Sequence, residues 1–157
     1  MDQDEVAALR TDLRTQEREI ERIYDRVEER AAALVRGAST EAHPEEALAF
    51  QLHNLYSTFE ELFGIVAGAF ENHITGEAGY HSELLRRMSV AVDGVRPAVI
   101  PENLLQRFDS LRSFRHFFRH AYGQTIDTRK LDPVLEDARL LRTEYPGMIE
   151  EFLQALQ

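Results

Sequence analysis

Residues 6–34 read VAALRTDLRTQEREIERIYDRVEERAAAL, and their spacing decides the fold class. Val6, Leu13, Ile20, Val27 and Leu34 fall seven apart, with Leu9 and Ile23 supplying part of a second row. Apolar residues at that period line one side of an α-helix, while the positions between them are charged, as a half-wet helix requires. Gln16 and Arg30 interrupt the second row. The pattern predicts one long helix over about 4–35. It reads as a bundle helix with a projecting or partner-contacting end, not as a free two-stranded coiled coil.

The rest of the chain follows the same period. A turn at Gly37 to Thr40 and His43-Pro44 leads into a second helix to about residue 72, with Pro44 at its first position and Glu45 and Glu46 suited to the positive helix end. Leu48, Leu52, Leu55, Phe59, Leu62, Phe63 and Val66 give that helix a broad apolar face, and Gly64 and Gly68 inside it predict a close helix crossing. Gly76 and Gly79 bracket a loop, and a third helix is expected over 81–92. Pro101 opens a fourth that runs to Tyr122, with Gly123 as its cap. Asp132-Pro133 is read as the start of the fifth, which Pro146 breaks or kinks before 148–156. The expectation is an all-α antiparallel bundle of about five helices with short connections, a single domain over 1–157 in which 1–36 is the long heptad-patterned first helix. At this length one chain buries a real core.

Composition narrows the chemistry. The chain has no cysteine, which removes disulfides and thiolate metal sites. No apolar run approaches the roughly 20 residues of a bilayer span, and Met1-Asp2-Gln3-Asp4-Glu5 lacks the basic and apolar regions of a signal peptide. The expected location is the cytoplasm, away from membranes. The net charge is −10. Yet residues 107–130 carry six basic side chains (Arg107, Arg112, Arg115, Arg119, Arg129, Lys130) against two acidic ones (Asp109, Asp127), a local +4, leaving −14 elsewhere. A positive patch on an acidic body attracts a polyanion, or an acidic protein surface, at one place and repels it at others.

The patch has a pattern. On a helix, Arg112, Arg115, His116, Arg119 and His120 gather on one face, and Phe114, Phe117, Phe118 and Ala121 on the other. His116 and His120 share the spacing of a helical metal site, but no cysteine, His-Glu-x-x-His or Glu-x-x-His pair supplies the remaining ligands, so neither a metal nor another cofactor is expected. No Gly-x-Ser-x-Gly elbow and no glycine-rich phosphate loop is present. Metal-free cleavage of RNA fits the residue types better. RNA supplies its own nucleophile, the 2′-hydroxyl. The protein must supply a base, an acid and cations for the developing phosphate charge. Histidine titrates near neutrality and arginine stays charged. A symmetric dimer would double both in one cleft. The other reading of the same face is a solvated surface whose arginines pair with glutamates of neighbouring helices.

Arg115-His116-Phe117-Phe118-Arg119-His120-Ala121-Tyr122 resembles the Arg-x4-His-x-Tyr signature of HepT-type toxins of the HEPN superfamily. Tyr80-His81-Ser82-Glu83-Leu84-Leu85-Arg86-Arg87-Met88 resembles the aromatic-His-x-x-Leu-Leu-x-x-Met segment of the same group, and Ile126-Asp127-Thr128-Arg129-Lys130-Leu131 its acidic turn into the last helix. The resemblance covers about 45–157 and leaves the first helix aside. It implies a metal-independent endoribonuclease, acting on RNA such as tRNA, with Arg115 and His120 as the catalytic pair at the cleft of a homodimer or higher oligomer. Arg115 would hold the phosphate and His120 act as general base or acid, flanking the stripe about 140° apart. Arg112, His116 and Arg119 would contact substrate. It further implies a toxin–antitoxin pair in which an MntA-like nucleotidyltransferase transfers AMP to Tyr122, setting negative charge beside the cations. The alternative is a non-catalytic helical module that binds a nucleotidyltransferase or another protein. His81 is expected to make a local helix-end hydrogen bond, and His43, His53 and His73 to have no special role.

Overall fold

The structure is a computed structural model that describes residues 1–37, 42–71, 79–120 and 125–156. Among them are five helices and no strand: α1 (Gln3–Arg36), α2 (Pro44–Phe70), α3 (Tyr80–Met88), α4 (Glu102–His120) and α5 (Thr128–Gln154). α1 begins with a capping box. Asp2 accepts from the Glu5 amide at 2.9 Å while Glu5 accepts from the Asp2 amide at 2.8 Å. It ends at Gly37, whose left-handed φ of 61° brings its amide back to the Ala33 and Leu34 carbonyls.

α2 touches all four other helices, and α3 runs beside it in the same sense, with His81 at Glu60 and Arg87 at Glu71 beyond the end of α2. Gln16 reaches Thr58 and Glu61 across α1 and α2, Arg142 reaches Glu21 and Arg139 reaches Glu28 across α5 and α1, and Phe108 meets Phe63 while Phe118 meets His53 across α4 and α2. Across α5 and α1, and across α4 and α2, one number rises as the other falls, so those pairs are antiparallel. Phe59 of α2 is the hub. Its ring stands edge-on to Tyr24 (6.2 Å), Phe108 (5.0 Å) and Tyr145 (5.2 Å), so four helices meet on one fully buried side chain.

The heptad reading of α1 holds at Leu13, Ile20 and Val27, which are buried. The second buried row passes through Leu9, Gln16, Tyr24 and Ala31, with Ile23 turned half out. Gln16 does not break the seam, because its amide donates to the Thr58 carbonyl at 2.9 Å and to Glu61 at 3.1 Å. Burial from Leu9 to Ala31 leaves little of α1 projecting.

Three expectations need correction. α5 begins at Thr128, with Asp127 as its cap accepting from the Arg129 amide at 2.9 Å, and runs unbroken through Pro133 and Pro146 to Gln154. Both prolines are exposed, so the carbonyls they leave unpaired can face water, while Tyr145, Met148, Ile149 and Phe152 beside Pro146 are buried and hold the helix on the bundle. α3 stops at Met88, because the buried Arg96 side chain takes the Arg87 and Val90 carbonyls at 3.0 and 3.1 Å and so caps the helix from outside. Gly64 and Gly68 do not mark a close crossing. A Cβ at either would meet nothing within 4 Å, and both line a groove of about 450 Å³ against the start of α1.

Candidate active site on helix α4

The Arg/His face of α4 divides in two. Leu111 and Phe114 are buried, and Arg115 lies at the edge of that buried row, so its side chain turns inward. Only 14% of the Arg115 side chain is exposed. Its Nε donates to Ser57 Oγ at 3.2 Å, its Nη1 to His81 Nε2 at 3.2 Å, and Glu60 Oε1 lies 3.7 Å from Nε. His81 in turn donates from Nδ1 to Glu60 Oε2 at 2.6 Å. The partners fix the tautomer: the carboxylate only accepts and the guanidinium only donates, so the ring carries its proton on Nδ1 and offers the lone pair of Nε2. Three helices thus converge on one guanidinium.

The other members of the face stay outside. Arg112 donates from Nε to Asp109 at 2.8 Å, one turn earlier on the same helix. His116, Arg119 and His120 are exposed. The His116 and His120 rings lie 4.4 Å apart, and the His120 Nδ1 donates to the His116 carbonyl at 2.7 Å. A carbonyl cannot donate, so Nδ1 holds a proton, and Nε2 of His120 makes no hydrogen bond among the described residues. Among the described residues no group of three His, Asp or Glu could hold a metal ion, and no helix is long and apolar enough to cross a membrane. Tyr122, the proposed modification site, lies outside the described residues, as do Ala121, Gly123 and His73.

The apolar side of α4 is partly covered by rings. Phe118 meets His53 at 5.4 Å and Phe50 at 6.4 Å, with half of Phe50 open to solvent. Lys130 of α5 sits 4.5 Å above the Phe117 ring, extending the basic surface across to the next helix. Burial holds His53 below the usual imidazole range, and the Arg115 and Arg119 charges act in the same direction. His53 therefore tends to stay neutral beside the cations.

Sequence reading brought Arg115 forward but missed what it touches. His81 does not make a local helix-end bond, because its partners lie 21 and 34 residues away. Ser57 and Glu60 were passed over entirely. Their signal was a polar row, His53, Ser57 and Glu60, along the edge of the apolar face of α2. A carboxylate whose turn neighbours Tyr56 and Phe63 are core residues needs a cation to meet it.

A family model described as HepT-like protein matches residues 47–156, from the first turn of α2 through α5. Neither the curated proteins nor the solved structures gave a match.

Proposed function

The chain belongs to the HepT-like family of the HEPN superfamily, and from that premise we propose that it is the toxin of a toxin–antitoxin pair, a metal-independent endoribonuclease. The observation that carries the reading is the division of labour on the last two turns of α4: an arginine held by three neighbouring side chains, and five residues on, an exposed histidine whose Nε2 has no hydrogen bond among the described residues. Arg115, with Arg119 and Arg112 nearby on the helix, binds the phosphate and takes up the charge that develops on it. His120 Nε2 removes the 2′-hydroxyl proton. The 2′-oxygen then attacks phosphorus, the bond to the 5′-oxygen breaks, and an imidazolium returns a proton to that oxygen. Each protomer supplies one such histidine, and a homodimer brings two into one cleft, one as base and one as acid. His116 assists by holding the His120 ring. Phe50 and Phe118 offer ring faces on which an unpaired base of RNA, tRNA among the candidates, can stack. An MntA-like nucleotidyltransferase neutralises the toxin by adding AMP to Tyr122, placing phosphate charge next to the same cations.

One observation favours a second reading. Arg115 is largely covered and faces Glu60, as a structural ion pair would be, and the chain would then be a helical binding module for a nucleotidyltransferase or other protein. Expression in cells separates the two. The toxin reading expects growth arrest by the parent, relief by Arg115→Ala and by His120→Ala, and relief by a co-expressed nucleotidyltransferase. A His120→Ala variant that arrests growth as strongly as the parent removes the catalytic assignment.

A further inference from the structure

Arg115 has five N–H groups. Two are engaged inside the fold, by Ser57 Oγ and His81 Nε2, and Nη2 has no hydrogen bond among the described residues. The engaged donors fix the plane of the guanidinium, and its remaining N–H groups have no hydrogen bond among the described residues. The hydrogen bond from Arg115 to His81 exists only while His81 is the Nδ1–H tautomer, and Glu60 enforces that tautomer at 2.6 Å. The Glu60 side chain is 9% exposed and comes from α2, His81 from α3 and Arg115 from α4, so the arrangement depends on tertiary packing and not on local helix geometry.

We propose that Glu60 and His81 are positioning residues for Arg115: the carboxylate sets the ring of His81, and the ring, with Ser57, sets the guanidinium to receive an RNA phosphate. The inference rests on the ribonuclease reading above for its substrate, but not for its geometry. His81 is not a second acid–base group here, because both of its ring nitrogens are engaged. A guanidinium held in advance loses little freedom when the phosphate arrives, whereas one released from His81 must be ordered by the substrate itself.

The test uses the full chain with Glu60→Gln, which keeps the shape and an acceptor oxygen but removes the charge, and His81→Ala, which removes the acceptor for Nη1. Each is also made with Arg115→Ala. Three quantities are measured: the Arg115 Nε–H resonance in ¹H–¹⁵N spectra, identified by its loss in Arg115→Lys; cleavage of an RNA oligonucleotide; and affinity for the same sequence carrying 2′-O-methyl groups, which cannot be cleaved. Both substitutions are expected to move and broaden the Arg115 resonance and to slow cleavage about 10- to 100-fold. With Arg115→Ala already present, neither weakens binding further, because their effect runs through that side chain. An unchanged Arg115 resonance, or losses of equal size with and without Arg115, overturns the proposal and leaves the cluster a structural ion pair. A parent that does not cleave RNA refutes the ribonuclease reading, and the resonance still decides the positioning role. If Glu60→Gln unfolds the protein, His81→Ala at the more exposed ring decides it alone.

Discussion

Arg96 and Arg115 are both covered arginines facing a glutamate of α2 or its C-terminal cap, and they do opposite things. Arg96 has no exposed side-chain surface, and every one of its nitrogens is engaged: Nε and Nη2 with Glu71 at 3.1 and 2.5 Å, Nη1 with the Val90 and Pro97 carbonyls, Nη2 also with the Arg87 carbonyl. It ends α3 and binds the following loop to the end of α2. Among the described residues Arg115 is held at Nε and Nη1 only, and it keeps some exposure. An arginine with all its donors used inside the fold belongs to the architecture. One that is fixed but not saturated is ready for an anion.

That contrast can be broken most severely at Arg96. Arg96→Met strands the Glu71 carboxylate with Arg87 alone and removes the cap of α3, and should destabilise the bundle by about 3–5 kcal/mol in urea unfolding. Adding Glu71→Leu should return much of that loss, since the unpaired carboxylate goes with it. Arg115→Ala should cost less, about 1–3 kcal/mol, because Glu60 keeps its bond to His81, while cleavage is lost. His120→Ala sharpens the distinction further. The ring is exposed and, among the described residues, bonded only to its own helix, so stability should stay within about 0.5 kcal/mol while cleavage again disappears.

The smallest effect belongs to a third kind of arginine. Arg139 makes two 2.9 Å bonds to Glu28 with both side chains substantially exposed. Those bonds, and then the charges of Arg139 and Arg142, hold the Glu28 carboxyl below its ordinary value of 4.5. Its folded pKa is depressed, so its contribution is fully present above about pH 4.5 and is lost as pH falls through the folded value. Solvent screening keeps it to about 0.2–1 kcal/mol. The stability difference between the parent and Glu28→Gln should therefore shrink below pH 4.5 and hold steady from there to neutrality. A difference that grows in acid would contradict the pairing.

Much of this bundle was readable before its structure. The seven-residue spacing of Val6 to Leu34 reports a helix and the face it buries, and Pro44 with two glutamates marks the start of α2. Periodicity reports a helix's own face but not which neighbour meets it. That is why the stripe of α4 was read as one surface, although packing against α2 and α3 draws Arg115 inward and leaves His116, Arg119 and His120 outside. It is also why Arg96 was overlooked. Its role comes from Glu71 and from carbonyls on the other side of a turn, which no spacing rule connects to it. The start of α5 was misplaced because Pro133 drew attention to Asp132, while the earlier Asp127 carries the cap.

The central claim is that Arg115 and His120 form a metal-free ribonuclease site. The direct measurement is incubation of the purified parent, Arg115→Ala and His120→Ala with RNA in excess EDTA, after mass spectrometry has shown Tyr122 to be unmodified. The account predicts fragments from the parent alone, at a rate that chelation does not change. Intact RNA with unmodified parent, or equal cleavage by all three proteins, would contradict it.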